Sequence, residues 1–168
     1  LYAIRDVTAT VDVPELIVAS ILSKKLAGGA TALVLDVKAG SGAQFQHVDD
    51  ARSLARRLLD AGSSVGLMVD AVLSDMNQVL GSAAGNALEV HEAVQILTGR
   101  ITAGRLLELS LEIAARLLCL GGVAHGADQA QIRLRRALDS GAAAERFACM
   151  IAALGGPTDV LERVDASL

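Results

Sequence analysis

Apolar residues recur along this chain with two different periods, and the alternation between them lays out its elements. From Val48 the pattern is helical. Val48, Ala51, Leu54, Ala55, Leu58 and Leu59 share one face, and Asp49, Asp50, Arg52, Arg56, Arg57 and Asp60 share the other, up to a stop at Gly62. On either side lie short apolar runs, Thr31 to Val37 and Val65 to Leu73, of a length and composition that predict strands. Strand, amphipathic helix and strand over this distance predict a right-handed crossover and a parallel pair. Upstream, Pro14, Ile17, Ile21 and Leu22 predict a helix ended by Gly28 and Gly29. Asp12 and Glu15 have the spacing of a capping box at its start. Downstream, the pattern predicts helices from Asn86 to Leu97, Ala103 to Leu120, Ala127 to Leu138 and Ala142 to Leu154, with a loose C-terminal end. Apolar residues nearly encircle the second of these, so deep burial is expected, with Glu112 and Arg116 paired at spacing four.

Composition narrows the function. Of 168 residues, 52% are hydrophobic but only 2% aromatic, so the core is aliphatic and aromatic stacking platforms for bases are excluded. A net charge of -4 without a basic block argues against a nucleic-acid polymer as partner. No apolar run has membrane-spanning length, and no signal peptide is visible. Cys119 and Cys149 belong to no metal-spaced motif and read as reduced, buried thiols of a cytoplasmic protein. The chain starts without Met inside a motif-rich loop, as a piece of a longer protein would.

The chemistry concentrates between Arg5 and Lys25. Leu16, Ser20 and Lys24 fall on one helical line, so a hydroxyl and an ammonium project side by side. Arg5 precedes them in a loop that can fold back. The same spacing also fits a core helix with Ser20 bonded to its own backbone and Lys24 reaching into water. Elsewhere, Asp36 and Lys38 suit a structural pair, and Asp75 and Asn77 suit loop-fixing roles. GSGAQF lacks the third glycine of a dinucleotide fingerprint, and His91 lacks the second histidine of a zinc helix. His47 and His125 read as surface residues, and Arg133, Arg135 and Arg136 as a solvated helix face.

Four segments, LYAIRDVTATVD, ASILSKKLAGG, LDVKAGSGA and SDMNQVLGSAAGNALEVHEAV, together resemble the thymidine and pyrimidine nucleoside phosphorylase family in order and spacing. The resemblance implies part of a two-domain α/β fold. Residues 1–27 would belong to a helical, base-binding domain, 28–30 to a hinge and 31–168 to a mixed α/β domain facing phosphate. It implies phosphorolysis of a pyrimidine nucleoside, thymidine preferred, with phosphate as co-substrate and no organic cofactor. Arg5, Ser20 and Lys24 would hold the base, with Arg5 and Lys24 catalytic. A monovalent cation, potassium by the same resemblance, would be bound by the carbonyls of Leu80 and Ala83 and the carboxylate of Glu92. The complete protein would be a homodimer.

Two stretches depart from the family pattern. VDVPEL moves Pro14 one place earlier and puts Val13 where serine is common, and Gln44 replaces a frequent phenylalanine after GSGA. A broader pyrimidine nucleoside or nucleoside-monophosphate phosphorylase is the alternative activity. A non-catalytic fragment or interaction module is the alternative of another class.

Overall fold

The computed structural model describes residues 2–163. It resolves into two compact units, residues 2–78 with 116–123, and residues 79–115 with 124–163.

The first unit holds α1 (Tyr2–Val7), α2 (Pro14–Ala27), β1 (Ala32–Ala39), α3 (Val48–Ser64) and β2 (Met68–Asp75). β1 and β2 are parallel, from Ala32 opposite Met68 to Ala39 opposite Asp75. The expected strand–helix–strand crossover is thus present. α3 covers the pair with Ala51, Leu54, Ala55 and Leu58, which meet Ile17, Val18 and Leu22 of α2 and Val37 and Ala39 of β1 in one core. Alternate residues of β1 take opposite faces. Leu33 and Leu35 pack on this core, whereas Asp36 and Lys38 alternate with them.

Several local expectations are corrected. Asp12 does not cap α2. Proline pushes the residue before it into extended backbone, so Val13, at φ -75° and ψ 113°, takes the cap position without a side-chain hydrogen bond. Glu15 pairs instead with Arg57 of α3. Gly62 does not end α3, which continues to Ser64. Its role is steric, because a Cβ there would lie 2.3 Å from Val69 Cγ2. β1 is less enclosed than its unbroken apolar run predicts, with only Val37 and Ala39 fully buried. Val48, expected on the core face of α3, is exposed at the first turn.

The second unit holds α4 (Asn86–Leu97), most of α5 (Arg105–Leu120), α6 (Ala127–Asp139), α7 (Ala142–Ala153) and the short α8 (Val160–Arg163). α7 packs against α4, α6 and α8. α5 buries a stripe at spacing four, Leu107, Leu111 and Ala115, rather than its whole circumference, and Leu117 is 45% exposed. Cys149 is exposed and Cys119 half-buried, against the expectation for both. Cys149 lies five residues beyond Ala144, the buried position of α7, which turns it about 140° away. α8 replaces part of the expected loose end, whose remainder lies outside the described residues. Among the described residues no helix is long and apolar enough to cross a membrane.

Candidate active site

Arg5 lies on the last turn of α1 rather than in a loop. The helix closes with the bond pattern of a Schellman motif. Ala9 N–H donates to Asp6 O at 3.1 Å and Thr10 N–H to Arg5 O at 2.9 Å. Ala9 takes the left-handed conformation, φ 51°, at the place glycine usually fills. The Arg5 side chain then folds over this turn. Nη2 donates to Val11 O at 2.6 Å and to Thr10 O at 3.3 Å, and Nε donates to Thr10 O at 3.4 Å. One edge of the guanidinium is therefore spent on main-chain carbonyls. Among the described residues Nη1 makes no hydrogen bond, which leaves its two N–H groups as unused donors on a residue only 7% exposed.

Ser20 sits in the middle of α2 and is 2% exposed. Its hydroxyl has no hydrogen-bond partner among the described residues, neither its own backbone nor Arg5. An unsatisfied buried hydroxyl costs about 1–3 kcal/mol. Lys24 follows one turn later and is exposed. α2 ends with Gly28 as cap and Gly29 left-handed at φ 77°, where Ala30 N–H donates to Lys25 O. Ile17 and Ile21, also on α2, line a cavity of about 350 Å³ with Leu35, Phe45 and Met76. Asp36, Lys38 and Gln44 also line it, whereas Arg5, Ser20 and Lys24 do not.

The turn after β1 is fixed from two sides. Gly42 N–H donates to Met76 O and Ser41 N–H to Asn77 Oδ1, while Asp75 Oδ1 accepts from Asn77 N–H. Asp75 and Asn77 do fix a loop, as expected. Asp36 Oδ2 and Lys38 Nζ are 2.5 Å apart, and Ser74 Oγ joins both from β2. Gln44 was not legible as a participant. Its amide reaches Val11 O and Asp12 Oδ1, residues more than thirty positions away, and no local pattern announces such a bond.

The other predicted residues meet in the second unit. Glu92, 8% exposed on α4, closes the loop before the helix. Its Oε1 accepts from Ser82 N–H at 2.8 Å and Ser82 Oγ at 2.7 Å, and its Oε2 accepts from Ala83 N–H at 3.2 Å. The Ser82 amide, then the Ser82 hydroxyl, hold this carboxyl below its ordinary range; burial opposes them, and the Ala83 amide adds to them. A Cβ on Gly81 would lie 2.5 Å from Oε2, so a side chain there would force the Glu92 carboxylate to move. Leu80, Gly81 and Glu92 line a cavity of about 250 Å³. Among the described residues no group of three or more His, Cys, Asp or Glu side chains could hold a metal. A cation here would be held by one carboxylate and by carbonyls. Ala83 is not among the residues that line this cavity, and both oxygens of Glu92 already accept hydrogen bonds from the loop.

Comparison with known proteins identifies the family. Residues 7–144 match the glycosyl transferase family, a/b domain. The chain belongs to this glycosyl transferase family. Within it, the chain is similar to the thymidine phosphorylase of Burkholderia lata (strain 383), 52% identical over 162 residues. It is 53% identical over the same length to the thymidine phosphorylase of Burkholderia cenocepacia (strain HI2424). Each match covers 96% of this chain and 37% of the relative, so the chain spans just over a third of the length of these curated family members. The family match takes in α2, both strands and the Glu92 loop.

Proposed function

We propose that the protein containing this chain cleaves pyrimidine nucleosides with phosphate, thymidine foremost, releasing thymine and 2-deoxyribose 1-phosphate. The relatives' name, thymidine phosphorylase, supports this activity. The observation that carries it is the buried hydroxyl of Ser20, unsatisfied among the described residues, one turn from the ammonium of Lys24 on the same helix.

In this reading a phosphate oxygen attacks the sugar carbon as the bond from that carbon to ring N1 breaks. The bonding electrons pass to the base and spread onto its carbonyl oxygens. Arg5 Nη1 and Lys24 donate hydrogen bonds to those oxygens, and Ser20 Oγ accepts from the ring N–H. Charge-assisted donors act more strongly on the anionic base than on the neutral substrate, so they lower the barrier rather than merely tightening binding. Each contributes about 1.5–3 kcal/mol. A monovalent cation on Glu92 and the carbonyls of Leu80 and Ala83 would neutralise charge near the phosphate. Arg5, Ser20 and Lys24 serve the base side, and the Glu92 loop the phosphate side. The complete enzyme works as a homodimer in the cytoplasm.

The test is phosphate-dependent base release by the full-length protein from thymidine, uridine and a pyrimidine nucleotide. Thymidine is expected to be the best substrate, and Lys24→Ala to lower turnover at least as much as affinity. No phosphate-dependent cleavage of any of the three, or a Lys24→Ala variant with unchanged kinetics, would overturn the reading.

A further inference from the structure

We infer that Gln44 is a positioning residue for Arg5, acting through the carbonyl of Val11; this rests on the base-site reading above. Gln44 Nε2 donates to Val11 O at 3.1 Å and to Asp12 Oδ1 at 2.8 Å. Val11 O also accepts from Arg5 Nη2 at 2.6 Å. A carbonyl oxygen has two lone pairs, enough to accept from both donors. The two side chains thus share one acceptor.

The arrangement ties a soft segment to a rigid one. Residues 8–13 connect two helices, and Ala9 carries the strained left-handed turn. Gln44 instead belongs to a turn held against the strands. Ala39 pairs with Phe45, Gly40 N–H donates to Phe45 O, and Gly42 N–H to Met76 O. Through Gln44 the sheet fixes the height of Val11 O. Val11 O then fixes the rotation of the guanidinium, because Nη2 and Nη1 are coplanar. The edge that would meet the base is set by the edge that holds the loop. A phenylalanine at this position cannot donate. A glutamate has the same shape, yet at neutral pH it cannot donate and it repels Asp12.

A double-mutant cycle in the full-length enzyme tests this. Gln44→Ala and Gln44→Glu are each expected to lower kcat/KM for thymidine about fivefold, with KM for phosphate unchanged. In an Arg5→Lys background the same Gln44 substitutions are expected to cost less than about twofold further, because the group they position has changed. Two variants of different shape guard against a folding defect in either. Unchanged kcat/KM in both, or losses that multiply in full with that of Arg5→Lys, would overturn the inference while leaving the base site intact. If Arg5→Lys itself changed nothing, the base-site reading would fall, and this inference with it.

Discussion

Ser82 places both its amide and its hydroxyl on one oxygen of Glu92, at 2.8 and 2.7 Å. Ten residues of chain are closed by that single carboxylate, and the closure depends on its charge. The same bonds lower its pKa in the folded state. A depressed carboxylate stabilises the fold fully above its unfolded value, about 4.3, and loses that contribution as pH falls through the folded value. Urea midpoints measured between pH 7 and pH 3 should therefore fall at the acid end. Glu92→Gln should be less stable than wild type at pH 7 and show a shallower acid loss. Parallel curves would mean that the Glu92 charge does not hold the loop.

Gly40 has φ 132°, and a Cβ on it would lie 2.7 Å from Asn77 N and 2.8 Å from Met76 C. Both are backbone atoms and cannot swing aside. Gly40→Ala should cost about 2 kcal/mol or more, read as a shift in thermal midpoint. Gly66→Ala, at a positive φ in open space, should cost less, about 1 kcal/mol. Equal costs would place the penalty in the dihedral alone.

Ser74 accepts from Lys38 and donates to Asp36, so one hydroxyl on β2 serves both charges on β1. Ser74→Ala should destabilise by about 1–2 kcal/mol, and Ser74→Thr by less, because the hydroxyl is kept. Denaturant midpoints give the comparison. Identical losses would show that the two charges satisfy each other without it.

What could be read from the sequence was whatever depends on near neighbours. α3 declared itself through its two-faced pattern and the strands through short aliphatic runs. Asp12 misled because it has the chemistry of a cap. The conformation that proline imposes on Val13 outweighed that chemistry, and Gln44 drew the carboxylate elsewhere. Gly62 looked like a helix stop because its neighbour Val69, the reason for its small size, is seven residues on and across a turn. Ser20 and Lys24 were placed correctly on one helix, but burial of the first and exposure of the second follow from packing against α3 and β1. The family resemblance singled out Arg5, Ser20 and Lys24 together, which periodicity alone did not.

Ser20 offers the most direct measurement. Its hydroxyl has no hydrogen-bond partner among the described residues and is buried in mid-helix, where alanine is the better helix former. In the full-length enzyme Ser20→Ala should leave the thermal midpoint unchanged or raise it, by up to about 1 kcal/mol in stability. It should at the same time lower kcat/KM for thymidine about tenfold. A variant that loses stability and keeps its kcat/KM would contradict the account, for the hydroxyl would then belong to the fold and not to the base.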